Sequence, residues 1–237
     1  MSKAGSGKSS KGGGSKAKGG SVGQTVHRQK ALQTAGISEH LLRLRAALHD
    51  DYGTGDRDCL ADFAAFGKFD RNGLDLQLKF FTGTTLPQPI RRQCFRLAKA
   101  SMEDIYDSCG YGWDDEEYND AMREPEGRML VAYEKGSEKP CGFIDFRFTV
   151  QGELVNVMEG FPSLLVEDLV LAPHIQRKGV GKHLLLLMEL MARKYKMDFL
   201  SVKNFKNNPV ATAFIKARGG FEVSYEFVPS DEPVAVW

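Results

Sequence analysis

The stretch Gln176-Arg177-Lys178-Gly179-Val180-Gly181-Lys182 separates an apolar run, Ser163 to Leu171, from an amphipathic one that begins at Val180. A strand that enters a helix through two closely spaced glycines constrains this chain more than any other feature. Gly179 and Gly181 let backbone approach a ligand, and the first amides of the following helix have no partner inside it. The helix dipole adds positive potential, so the segment has the makings of an anion site of diphosphate size. Arg177, Lys178 and Lys182 can add side-chain contacts. Dinucleotide loops need Gly-x-Gly-x-x-Gly, and nucleoside-triphosphate loops need Gly-Lys-Ser or Gly-Lys-Thr four residues beyond a first glycine; neither spacing occurs. Two glycines can also do no more than close a tight turn among solvated basic residues.

Hydrophobic periodicity places this loop in a larger order. Leu74, Leu76, Leu78 and Phe80 alternate as a half-buried strand does, after the turn-forming Asp70-Arg71-Asn72-Gly73. Gln88 to about Tyr106 reads as a long helix that ends before Gly110, and Asp114 to Met122 as a second with acids in its first turn. Arg128–Tyr133, Cys141–Val150 and Ser163–Leu171 read as strands, with a loop over Gln151–Pro162. Val180, Leu184, Leu187, Met188, Met191 and Tyr195 form the buried stripe of a helix. A short strand, Phe199–Val202, comes next. Asn207-Asn208-Pro209 then caps a helix that Gly219-Gly220 stops, and Phe221–Val228 supplies the last strand. The fold class that follows is α/β, a mixed central sheet flanked by helices.

Charge is divided unevenly along the chain. The 32 basic and 31 acidic residues nearly cancel, yet residues 1–38 hold seven lysines and arginines and no acid. We expect residues 1–25 to be a disordered basic arm rich in Gly, Ser and Lys, 26–56 a helical segment and linker, and 57–237 the folded domain. An acidic body suits a basic substrate, while the arm can make weak electrostatic contact with nucleic acid or serve only to solubilise. No apolar run approaches the roughly 18 residues of a membrane span, so no membrane role is expected. The four cysteines have neither metal nor disulfide-framework spacing, and the five histidines form no zinc-binding pair, so no metal is expected. With no secretory core near residue 1, reduced thiols in the nucleus and cytoplasm are the expectation.

Gln176, Gly179 and Gly181 resemble the diphosphate loop of the GNAT superfamily of acetyl-CoA-dependent N-acetyltransferases. Further stretches narrow the resemblance to the N-alpha-acetyltransferase D (NatD) family, which acetylates histone amino termini. They are Lys68-Phe69-Asp70-Arg71-Asn72-Gly73-Leu74, Tyr106 with Tyr111-Gly112-Trp113, Phe146-Arg147-Phe148, Arg177 to Lys182, and Asn208 to Phe214. This resemblance implies a GNAT fold, acetyl-CoA as donor, histone N-terminal tails as acceptors and a monomeric enzyme without metal. It further implies that backbone of Leu169, Val170 and Leu171 pairs with the pantetheine arm and that Gln176 to Lys182, Val180 included, holds the diphosphate. Asn208 would contact pantetheine, cap its helix, or do both.

By the same resemblance Asp168 stands where relatives carry a glutamate base, one methylene longer, with neighbouring Glu167 as the fallback. An α-amine has pKa about 8 against about 10.4 for lysine, so a modest base is enough. Tyr106, Tyr111 and Trp113 match positions that wall the first peptide residues, although core filling is an equal reading for Trp113. Thr149 and Gln151 replace carboxylates that face a basic third residue in histone-acetylating relatives. Ile215 stands where many relatives carry a tyrosine acid, so no general acid is assigned. A lysine or small-amine acetyltransferase, and a weakly active acetyl-CoA-binding scaffold, are the alternatives.

Overall fold

The computed structural model describes residue 39 and residues 42–43, 55–151, 160–222, 225–227 and 234–236. The basic arm lies outside the described residues; of the expected helical segment, Glu39, Leu42 and Arg43 are described, and all three are helical. From residue 61 on, a 3₁₀ turn (Ala61–Phe66) leads into β1 (Lys68–Arg71), β2 (Leu74–Thr82), α1 (Gln88–Ser108), α2 (Asp115–Ala121) and β3 (Arg128–Glu134). Then follow β4 (Pro140–Gln151), β5 (Phe161–Leu171), α3 (Val180–Lys194), β6 (Phe199–Phe205), α4 (Pro209–Arg218), β7 (Tyr225–Phe227) and β8 (Val234–Val236). The strand order is β1-β2-β3-β4-β5-β6-β8-β7, with β5 and β6 parallel and the other neighbours antiparallel.

Side-chain alternation sorts the sheet into two faces. Met129, Val131, Tyr133, Phe143 and Val170 bury toward α1 with Leu86, Cys94 and Ala98. Leu130, Ala132, Ile144, Phe146, Leu164 and Val166 bury on the other face with the α3 stripe of Leu184, Leu187, Met188 and Met191. β3 is therefore buried on both sides, which is why it reads as a continuous apolar run. Asn72 and Gly73 both have positive φ, +56 and +73, which suits a two-residue hairpin turn between β1 and β2. Arg128 is fully buried and spends its guanidinium on the carbonyls of Pro125, Glu126 and Gly55, so a charge at the start of β3 is compensated by backbone dipoles.

Local signals misplaced some ends. β6 runs past Val202 to Phe205 because Lys203–Phe205 pair with β8, a partner about thirty residues downstream that no local pattern shows. The last strand material is Tyr225–Phe227 and a separate β8 inserted beside β6, while Phe221 and Glu222 are outside any strand. The expected Gln151–Pro162 loop is narrower: Gln151 pairs with Phe161 and Val150 with Pro162.

Candidate active site

β5 and β6 run paired only from Ser163 opposite Phe199 to Val166 opposite Val202. Past that point β6 turns to β8 while β5 continues to Leu171 held by β4 on its far side. The two strands part, and Glu167 to Leu171 present an open backbone edge toward the gap. Exposed strand edges pair readily with an extended partner carrying amide groups.

The loop closes one end of that gap. Gln176 Nε2 donates to the Leu171 carbonyl at 2.7 Å, tying the loop to the end of β5. Arg177 and Gly179 have φ of +60 and +92, and Gly179 is the N-cap of α3. The amides of Gly179, Val180, Gly181 and Lys182 have no acceptor among the described residues, as expected at a helix start without a side-chain cap. Gly181 packs against the Phe214 ring, with 3.3 Å available for an added Cβ, so α3 and α4 approach closely behind the loop. Arg177 and Lys182 are exposed and Lys178 is half-buried. Asn208 caps α4, its Oδ1 accepting from Ala211 N at 3.0 Å, which leaves its amide donors free for a ligand. Asn207 Nδ2 donates to Ile105 O and Ser108 Oγ, fastening the β6–α4 turn to the end of α1.

At the parting point sits a group of carboxylates. The β4–β5 ladder pairs Phe143 with Val170 and Asp145 with Asp168, then Phe146 with Val166, so Glu167 is an extra, bulged residue. The bulge turns both acids of β5 toward Asp145. Glu167 is neutralised by Arg147 Nε at 3.0 Å and Lys203 Nζ at 3.2 Å. Asp168 instead accepts from Tyr118 Oη at 2.6 Å. Burial holds the Asp168 carboxyl above the usual carboxylate range, while the Tyr118 bond and the Lys203 charge pull it back. Asp145 is pushed well above that range, first by burial and then by the charges of Asp168 and Glu167. Its Oδ1 is out of solvent with no hydrogen-bond partner among the described residues. Burial and the Asp168 charge also keep Tyr118 a neutral phenol.

Aromatic residues wall the same side. Trp113 stacks on Tyr118 at 4.7 Å, and Tyr106 makes edge contacts with Trp113 at 5.2 Å, Tyr111 at 5.9 Å and Phe205 at 4.6 Å. The expected trio Tyr106, Tyr111 and Trp113 is thus one cluster, joined to Asp168 through Tyr118. Tyr111 is 49% exposed at its rim, whereas Trp113 donates Nε1 to Asp115 and packs on α1, so it serves the wall and the core together. Thr149 and Gln151 lie on β4 at positions in phase with Asp145 and Arg147, but Thr149 is four residues on, roughly 13 Å along the strand. The structure places these two away from the carboxylates. Ile215 is 2% exposed in the α3-side core and offers no proton.

Residues 95–221, more than half of the 237-residue chain, match the acetyltransferase (GNAT) family. The chain is a GNAT acetyltransferase. Its fold is similar to that of a tetramutant of the BH1408 protein from Bacillus halodurans, at 13% identity and TM-score 0.50, with 64% of this chain on 96% of that one. It is also similar to the aminoglycoside acetyltransferase meta-AAC0020 from an uncultured soil metagenomic sample (19% identity, TM-score 0.46, 65% on 95%). AAC(6')-Iy, in complex with a bisubstrate CoA analogue, aligns at 14% identity and TM-score 0.45, again 65% on 95%. The acyl donor of this GNAT enzyme is acetyl-CoA. The residues present fit it: free amides at the mouth of α3 suit its diphosphate, and the open β5 edge suits the amides of its pantetheine arm. No cluster of three metal-ligating side chains occurs among the described residues.

No motif or resemblance singles out Tyr118 or Asp145, and the Asn207-Asn208-Pro209 cap motif does not show that Asn207 reaches α1. A signal existed for Asp145, a lone acid within the apolar run Cys141–Phe148. Tyr118 offered one too, as the single aromatic residue of an otherwise acidic and polar helix.

Proposed function

We propose that this GNAT enzyme acetylates the amino terminus of a protein chain, with histone-like tails beginning Ser-Gly as acceptors. The observation that carries this reading is Asp168, a half-buried carboxylate at the parting of β5 and β6 that accepts a hydrogen bond from a neutral tyrosine. Such a group is a base of modest strength. Taking the proton from an α-amine costs roughly 3 kcal/mol less than taking it from lysine, so a terminal amine is the acceptor that Asp168 suits. Glu167, engaged by Arg147 and Lys203, shapes and neutralises the floor of the site rather than taking the proton.

Acetyl-CoA would supply a thioester whose carbonyl carbon the amine attacks; the C–N bond would form as the C–S bond breaks, and coenzyme A would leave as a thiolate that takes up the second proton of the attacking nitrogen. Asp168 accepts the proton that the ammonium must lose, directly or through one water. Amides at the mouth of α3 hold the diphosphate, and backbone of Leu169 to Leu171 aligns the arm that bears the acetyl group. Tyr106, Tyr111 and Trp113 exclude water from the first peptide residue and offer π faces to its ammonium. Thr149 and Gln151, by the resemblance to NatD, would face the third residue of the peptide. The same reading has the basic arm of residues 1–25 touching nucleic acid weakly, and a monomer acting in nucleus and cytoplasm.

The test is mass spectrometry of acetyl transfer to a Ser-Gly-Arg-Gly-Lys peptide in three forms: free, blocked at the terminus and blocked at lysine. A panel of aminoglycoside and polyamine acceptors runs beside it. Acetylation of the free and lysine-blocked forms alone is expected. Product on the terminus-blocked peptide, or faster turnover of the small amines, would overturn the proposal.

A further inference from the structure

The β1–β2 turn reaches the diphosphate loop from 106 residues away in sequence: Asn72 Nδ2 donates to the Lys178 carbonyl at 2.8 Å. The 178–179 peptide bond is trans, so the carbonyl of residue 178 and the amide N–H of residue 179 point in opposite directions. A donor on one side of that peptide therefore sets the aim of the Gly179 N–H on the other. Gly179 N–H has no acceptor among the described residues. We propose that Asn72 is a positioning residue of the acetyl-CoA site, fixing the 178–179 peptide so that the Gly179 amide meets the diphosphate.

The rest of the hairpin supports the same loop. The Phe69 ring lies 3.7 Å and the Asn72 amide 3.5 Å from the place a Cβ on Gly179 would occupy, so the hairpin backs the N-cap directly. His183, in the first turns of α3, is bonded through Nε2 to the Phe66 carbonyl at 2.8 Å, and its Nδ1 lies 3.3 Å from Arg71. With its Nε2 proton donated to the carbonyl, Nδ1 is left as acceptor for the guanidinium. Phe69 packs edge-on to the same imidazole at 5.4 Å. Residues ahead of the turn thus hold the start of α3, and Asn72 holds the loop before it. Turn chemistry alone explains an asparagine at φ +56; it does not explain why the side chain is spent on Lys178.

This role rests on the diphosphate lying at the mouth of α3, and the test separates the two. Asn72→Gly keeps the left-handed backbone and removes the amide, whereas Asn72→Asp keeps the size and removes the donor. Asn72→Gly is expected to weaken acetyl-CoA binding about 3- to 10-fold and Asn72→Asp more, because its carboxylate also repels the diphosphate, with kcat at saturation and the KM of the peptide unchanged. Turnover of acetylpantetheine, which has no diphosphate, should be unaffected; a general loosening of the fold would slow both donors alike. Unchanged acetyl-CoA affinity in Asn72→Gly, or equal loss with both donors, would overturn the role of Asn72. Gly179→Asp places a carboxylate against phosphate and is expected to abolish binding; normal affinity there would remove the diphosphate site itself and the Asn72 role with it.

Discussion

Asp145 should destabilise the protein at neutral pH, and Asp145→Asn should remove that cost. Asp145 faces Asp168 and Glu167 on β5, with Arg147 on its own strand, Glu124 beyond α2, and Tyr118 and Cys94 on the helices packed over it. The one cation of that group, Arg147, is engaged by Glu124 and Glu167, and Asp145 Oδ1 has no hydrogen-bond partner among the described residues. Its folded-state pKa is raised, so between the unfolded value near 3.9 and the folded one the native state binds the extra proton, and stability falls as pH rises through that window. The stabilising contribution is complete below about pH 3.9 and gone above the folded pKa. An asparagine keeps the shape and cannot ionise. Relieving an unpartnered buried group is worth about 1–3 kcal/mol, which for a domain of this size is a gain of roughly 2–10 °C in Tm. Thermal unfolding followed by circular dichroism from pH 4 to pH 8.5 should show that gain at pH 8 and little difference at pH 4. A gain independent of pH, or a loss at pH 8, would refute the reasoning.

Five other outcomes follow from the same geometry. Asp168→Asn should lower kcat/KM about 10²- to 10⁴-fold with acetyl-CoA affinity intact. Since the Tyr118 hydrogen bond lowers the Asp168 pKa, Tyr118→Phe should move the acid limb of the kcat/KM profile upward, and a downward move would contradict the assignment. Gly179→Ala should cost about 1–2 kcal/mol for a side chain at φ +92, measured by urea denaturation. Gly181→Ala should be nearly neutral, because helix propensity gained at an α3 position offsets the 3.3 Å approach to Phe214. At Gly83 an added Cβ would lie 2.1 Å from the Glu124 carbonyl, so Gly83→Ala must displace backbone and should cost more than about 2 kcal/mol, visible as a lower urea midpoint.

The legible parts of the site are those made by neighbours in sequence. Gly179 and Gly181 announced an anion-binding helix start because the free amides and the permissive backbone belong to one short segment. Asn208 before Pro209 announced a cap for the same reason. The pair Asp168 and Glu167 is legible only through resemblance, which puts Asp168 first and Glu167 as the fallback without showing what distinguishes them. Their environments differ because a bulge and three distant side chains, Tyr118, Arg147 and Lys203, treat them differently. Residues such as Asp145, whose meaning lies in what stands opposite across a ladder, carried only the faint signal of an acid in an apolar run.

Taken alone, the amino-acid order determined the helices, most strands, the Asn72-Gly73 turn and the loop before α3, since each depends on periodicity or backbone preference within a few residues. Tertiary structure decided where β5 and β6 part, because β8 captures the end of β6 from far along the chain. It decided that Asp168 is tied to a phenol and Glu167 to two cations, and that Asn72 reaches Lys178. Those contacts depend on register and on packing across the sheet, which are set by burial summed over the whole domain rather than by any one segment.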